Sequence, residues 1–331
     1  MSQSPTVRLA AVPTSSKTES AVQRRFARLE EERQSIEYQE AKASGNVGFV
    51  AKWLVHATLP YKEPKNAPPA WGRSSGNTSL LIQPGYYHKT VETKDARGKT
   101  KVQKVLTSYG YPYGTYPRLI LAWIATEVIQ KRERTLTLGP SLSDFMENIG
   151  RTSGTGGARG TITILKNQMQ RLFSANIAVT NDPNAIVWQN DGFRIADKSN
   201  FEFFWDPSDP GQHSLWASEI KLTERFYDSL IDNPVPVDLR IVKALSRSPL
   251  SMDIYCWLTY RNACISRETK ISWEYLMQQF GTESSRWKFK ENFLRALKDV
   301  LVLYSGAKVN YDSQGLLLIP SPPSIPKLVK K

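Results

Sequence analysis

Histidine and cysteine are scarce in this chain of 331 residues. The three histidines, His56, His88 and His213, stand far apart, and none has a cysteine or histidine partner at ligand spacing, so no metal site and no cofactor is expected. The only cysteines, Cys256 and Cys264, read as reduced packing residues rather than a disulfide framework. Long apolar runs are missing too. Stretches such as residues 119–125 fall far short of the roughly 20 residues a membrane span requires, and the N-terminus lacks the apolar core of a signal peptide. These shortages lead to the expectation of a cytoplasmic protein with no membrane partner. No acidic catalytic set stands out either, so the chain is read as a binding protein and not an enzyme.

Acidic side chains are outnumbered as well, 31 against 44 lysines and arginines, which leaves a formal charge of +13. Such a surplus repels itself in the compact state unless it meets an anion, and double-stranded nucleic acid is the obvious one. The surplus is uneven. Residues 1–45 carry net +1, residues 46–135 net +9, residues 136–235 net −4 and residues 236–331 net +7. A basic C-terminal unit thus follows a locally acidic middle one.

Pattern and punctuation divide the chain further. Residues 1–45 read as a disordered or solvated helical arm, rich in Ser, Thr and Pro and then in Gln, Glu and Arg. Residues 46–114, rich in Pro, Gly, Lys and Tyr, read as an irregular basic lead-in with possible strands at 49–57, 79–83 and 102–107. From Thr115 the spacing predicts a helix to about residue 131, a strand at 136–138, a helix through about 149 and a Gly-rich turn. A helix at 160–174 follows, with strand-like runs at 177–180, 185–189, 193–196 and 201–205.

After a connector helix at 223–231 and a Pro-containing breaker at 233–236, the same order recurs. Helices at 237–246 and 251–262 precede a minimal strand at 271–272, helices at 273–280 and 284–300, and a hairpin of 301–304 with 316–319. Helix, strand, helix, turn, helix, hairpin is the order of a winged helix. The expected fold is therefore α+β, with two tandem winged-helix domains at 115–235 and 236–320 behind a partly disordered basic N-terminal region. Residues 321–331 form a basic tail.

Helical angles on residues 284–300 put Phe289, Phe293, Ala296, Leu297 and Val300 on a core stripe. The opposite arc carries Ser284, Lys288, Glu291, Arg295 and Lys298, with Trp287 and Lys290 at its margins. Lysine and arginine on such an arc reach guanine edges or phosphates, and serine serves either, although an ordinary solvated charged face has the same composition. The helix at 160–174 exposes Thr163, Ile164, Asn167, Gln170 and Arg171, an amide-rich face that suits adenine edges or contact with another protomer. The run from Gly154 to Gly160 lacks the Gly-Lys-Ser/Thr ending of a phosphate loop and is read as a helix–helix turn. The tyrosines at 109, 111, 113 and 116 read as packing, since strand-nicking chemistry also needs a paired-histidine metal site.

Three stretches carry a family resemblance: Tyr116-Pro117-Arg118-Leu119-Ile120-Leu121-Ala122-Trp123-Ile124-Ala125-Thr126-Glu127, then Leu138-Gly139-Pro140-Ser141-Leu142-Ser143-Asp144-Phe145-Met146, then Gly156 to Thr163 with Gln168 to Phe173. Together they resemble the RepA-type plasmid replication initiators of broad-host-range bacterial plasmids, over about residues 110–320. The resemblance implies a bacterial protein that binds directly repeated origin sequences and promotes opening of an adjacent AT-rich segment. It also implies recruitment of the host initiator ATPase and replicative helicase, a homodimer in equilibrium with monomer, and repression of its own gene. A winged-helix transcriptional regulator is the alternative, and a nicking or primase-like enzyme a more distant one.

Overall fold

A helix that is apolar on every side must be buried on every side, and residues 115–131 form one. The computed structural model describes residues 16–37, 41, 43–66, 68–94, 100–138, 142–151, 157, 160–180, 192–197, 219–281 and 285–326. Its helices are α1 (Ser16–Glu37), α2 (Lys52–His56), α3 (Thr115–Lys131), α4 (Leu142–Asn148), α5 (Thr161–Ser174), α6 (Glu224–Ile231), α7 (Leu239–Ala244), α8 (Pro249–Cys264), α9 (Trp273–Phe280) and α10 (Arg286–Leu303). Its strands are β1 (Val47–Val50), β2 (Trp71–Ser75), β3 (Thr78–Gln83), β4 (Tyr86–Lys94), β5 (Thr100–Ser108), β6 (Thr135–Thr137), β7 (Asn176–Thr180), β8 (Glu219–Lys221), β9 (Val235–Asp238), β10 (Thr269–Ser272), β11 (Lys308–Tyr311) and β12 (Gly315–Ile319). The chain is an α+β protein.

The C-terminal unit runs α8, β10, α9, α10, β11, β12, and its sheet has the order β10-β12-β11, antiparallel throughout. Side-chain caps start three of these helices. Ser248 accepts from Ser251 N–H, Ser272 from Tyr275 N–H and Ser285 from Lys288 N–H. The sequence pattern put a strand at 301–304, but residues 301–303 are the last turn of α10 and the hairpin begins at Lys308. The apolar run Leu301-Val302-Leu303 continues the helical stripe, with Leu303 buried, so its β-branched residue was a false strand signal.

In the middle unit α3, β6, α4 and α5 follow the expected order. β6 pairs with β8, and single bridges join Ile177 to Phe193 and Ala196 to Leu222. The strand-like runs at 185–189 and 201–205 lie outside the described residues.

Residues 46–114 are more regular than their Pro- and Gly-rich composition implies, because their strands find partners far away in sequence. β1 pairs with β9, and β3 pairs with both β2 and β7. α2 packs on α8, and β2 on α9. The segment is mortar between the two units, and one continuous apolar core runs through all three. α1 departs in the same way from a solvated arm. Leu29 and Ile36 are buried and the helix lies along α10 and α7.

The polar joint within that core is Arg118 on α3. Its guanidinium donates to both carboxylate oxygens of Asp253 on α8, at 2.8 Å each, and to the carbonyls of Leu59, Pro60 and Gly114. Burial works against the charge, but the Asp253 carboxylate outweighs it and holds the guanidinium above its usual range. We expect Asp253→Ala to lower unfolding free energy by about 3–5 kcal/mol, because it strands a buried cation. A paired Arg118→Met and Asp253→Leu change should still cost about 1–3 kcal/mol, since three carbonyls lose their donor. Urea unfolding of the two variants measures both, and a wild-type midpoint for Asp253→Ala would refute this role.

Candidate nucleic-acid interface

Helix α10 is anchored by aromatic packing. Phe293 is fully buried, and its ring lies 5.9 Å from Trp273, 5.3 Å from Phe280 and 5.6 Å from Phe289. With Phe289, Ala296, Leu297 and Val300 also buried, the outer arc is forced outward. Lys288 and Arg295, two turns apart, lie in line on that arc. Both hold the same carboxylate: Lys288 Nζ is 2.8 Å from Glu291 Oε2, and Arg295 Nη2 is 2.6 Å from Glu291 Oε1. The Lys288 bond first, and then both cationic charges, keep the Glu291 carboxyl below its usual range.

The remaining candidates on this helix have other partners. Lys290 Nζ donates to the Asp312 carbonyl at 3.0 Å and sits over the rings of Trp273 and Tyr311, tying α10 to the hairpin. Lys298 Nζ lies 4.4 Å from the centre of the Phe26 ring on α1. Ser284 is outside the described residues, and Ser285 is the helix cap. Trp287, at 72% exposure, projects from the first turn.

On α5, Asn167 and Gln170 are exposed, while Thr163 donates to the Gly157 carbonyl. Arg171 belongs to the fold. It pairs with Glu63 at 2.5 Å, donates to the Tyr111 carbonyl and stacks over Tyr113. The tyrosine cluster likewise packs: Tyr111 OH donates to the Pro68 carbonyl, with burial pushing its hydroxyl up to about 12, and Tyr116 lies under Arg151.

Sequence reasoning missed a basic cleft that exists only because α1 docks. It encloses about 1380 Å³ between α1, residues 60–74, α8, α9 and α10, and its cations include Arg24, Arg28, Lys62, Arg73, Arg247 and Arg295. Burial, and then the charge of Arg247, lowers Arg28; burial, and then Arg295, lowers Arg25. Arg73 spans the floor, over the rings of Trp71 and Tyr61, and donates to the Phe280 carbonyl at 2.9 Å. The next residue in line is Gly281, at φ +58, where a β-carbon would strike the Arg73 guanidinium. Among the described residues no group of three or more His, Cys, Asp or Glu is placed to hold a metal, and no helix is long and apolar enough to cross a membrane.

The hairpin beside α10 is pinned at its turn by Asp312, whose carboxylate accepts from the N–H groups of Gln314 and Gly315 and from Lys270 Nζ at 2.6 Å. Lys270 first, and then the two amides, pull its carboxyl to about 2. A depressed folded value means the turn is fully supported above the ordinary Asp value of about 4. That support is lost as pH falls through about 2. We expect an NMR titration of the Asp312 carboxyl carbon to show a midpoint near 2, rising in Lys270→Gln. An ordinary midpoint in the wild type would refute this account of the turn.

Residues 111–275 match the family model described as plasmid encoded RepA protein. A comparison with curated proteins finds no match.

Proposed function

Residues 111–275 make this chain a member of the plasmid-encoded RepA family of replication proteins, and we propose that it initiates replication by binding directly repeated duplex DNA at a plasmid origin. The observation that carries this reading is the pair Lys288 and Arg295, in line on the exposed outer arc of α10, each paired with Glu291 between them, with Lys288 also over the Trp287 ring. The order α8, β10, α9, α10, β11, β12 with sheet order β10-β12-β11 supports a winged helix, in which α10 would be the helix that enters the major groove. On this reading the α3 to α5 unit is a second winged helix, whose Asn167 and Gln170 make secondary contacts.

The work would be done by binding energy that deforms the duplex, without bond-breaking chemistry. Exposed ion pairs are worth only about 0.2–1 kcal/mol, so Glu291 would give way to phosphates or guanine edges. From the resemblance we extend the reading to opening of an AT-rich segment, recruitment of the host initiator ATPase and helicase, and dimers in equilibrium with monomers.

The test is binding of the full chain to repeat-bearing duplex from beside its own gene, with an unrelated duplex as reference. Lys288→Ala and Arg295→Ala should each weaken repeat binding by about 1–3 kcal/mol if they read a base, or weaken all duplexes alike if they hold phosphates, with thermal melting unchanged. Phe293→Ala should instead destabilise the fold by about 3–5 kcal/mol. Wild-type affinity should fall by orders of magnitude between about 50 and 200 mM salt, as expected for about 5–8 phosphate contacts. Repeat binding unchanged in both cation variants would exclude α10 as the reader.

Glu291→Gln reports on the same arc from the other side. It should raise affinity for any duplex a few fold, by about 0.2–1 kcal/mol for each pair released. An unchanged affinity, measured by fluorescence anisotropy at low salt, would show that the two cations do not meet DNA.

A further inference from the structure

Strands β4 and β5 pair over nine residues each, from Tyr86 opposite Ser108 to Lys94 opposite Thr100, and they form a sheet of their own. Among the described residues of the ribbon, both faces are open: Val102 and Leu106 are each 61% exposed, and Val105, Tyr86 and Tyr87 are exposed beside them. An isolated two-stranded hairpin is marginal in water, and an exposed apolar ribbon of this length marks a surface that meets something.

We propose that this ribbon is a second duplex-DNA-binding element, lying in or along a groove. The proposal rests on the reading of the chain as a duplex-binding protein. Charge selects the occupant. Residues 86–108 carry six lysines and arginines against Glu92 and Asp95, a net +4 in 23 residues, so pairing with the ribbon of a second copy would set like charge against like. The register puts cations on both faces. Lys89 opposes Val105 and Lys101 opposes Thr93 on one, while Lys104 opposes Thr90 on the other. A ribbon flanked by two phosphate backbones needs that two-sided arrangement, and the major groove, about 12 Å wide, admits a two-stranded ribbon.

Length and attachment agree. Nine residues at about 3.3 Å each span about 30 Å, comparable to nine base pairs at about 3.4 Å. The root is fixed to the end of α5. Tyr109 N–H donates to the Gly85 carbonyl at 3.0 Å, the rings of Tyr87 and Tyr109 lie 4.5 Å apart, and Gly85 is packed so closely on Ser174 that a β-carbon there would come within 2.6 Å of its carbonyl oxygen. The ribbon is therefore carried by the same unit as Asn167 and Gln170, and a duplex met by α5 would extend along it.

The experiment uses the full chain, a Lys89→Gln, Lys101→Gln, Lys104→Gln triple variant, and a variant in which residues 88–106 are replaced by an Asn-Gly turn. Binding to repeat-bearing and unrelated duplex is measured over a salt series, with sedimentation velocity for oligomeric state. Both variants should melt like wild type, lose at least tenfold in affinity at low salt, and show a log affinity against log salt slope shallower by about 2–3. Unchanged affinity and slope, while the wild type binds, would overturn this proposal alone. Loss of a dimer at unchanged affinity per protomer would make a second copy the occupant and overturn it too. A wild type that binds no duplex would overturn the parent reading, and this one with it.

Discussion

The Arg118 guanidinium sits in the core and donates five hydrogen bonds, two of them to Asp253. A buried ion pair is poor evidence of stability, since desolvation offsets most of its attraction, but it is good at specifying one arrangement of the groups around it. Here those groups come from three places: α3, the 59–60 turn of the basic lead-in, and α8 of the C-terminal unit. Arg118 can satisfy its donors only when all three are assembled. The Tyr61 ring, 5.1 Å from that guanidinium and 5.5 Å from that of Arg73, extends the joint to β2 and through the Phe280 carbonyl to the end of α9. The end of α9, just before α10, is therefore tied to a residue 207 positions away in sequence.

Charge is distributed to match. The core unit around α3 and α5 turns two of its cations inward, Arg118 on Asp253 and Arg171 on Glu63. Among the described residues, cations cluster in three places, the arc of α10, the cleft beneath α1 and the β4–β5 ribbon. Burial first, and then the neighbouring cation, Arg295 for Arg25 and Arg247 for Arg28, lowers both arginines, so repulsion between cations adds to the cost of burying them. A polyanion relieves that repulsion, whereas burying the same charges against another basic surface would add to it.

Much of the C-terminal unit was legible because its signals are local. The spacing of Trp273 to Phe280 gives α9 to the residue, and the Phe289, Phe293, Leu297 stripe gives the inner face of α10. Helix α3 was legible from its apolar run and Pro117 near its start. What escaped is non-local. β3 and β7 were read as strands, at 79–83 and 177–180, but their pairing across nearly 100 residues, like that of β1 with β9 across nearly 190, has no local signal. α1 looked solvated because Leu29 and Ile36 are sparse among charges, yet with Phe26 they fall on one stripe, and that suffices to dock a helix. The cleft depends on that docking, so no sequence window contains it. Arg171 illustrates the opposite error: its helical angle suggested an outward reader, but Glu63 and Tyr113, both from the lead-in, claim it.

Docking of α1 also holds α10 in place from one side. Arg25 pairs with the buried Asp299, which in turn accepts from Ser251 at the start of α8. Lys298 lies on Phe26, and Arg240 of α7 donates to the Ile36 carbonyl. α1 therefore braces the C-terminal part of α10 through Asp299, while Trp287 and Lys288 at its N-terminal end, and Arg295 and Lys298 further along, stay exposed. A helix that enters a groove by its N-terminal residues needs that end free and the other end held. The asymmetry follows from one sequence detail. Asp299 is the single acid on the buried side of α10, and it faces the helix that brings arginine to it.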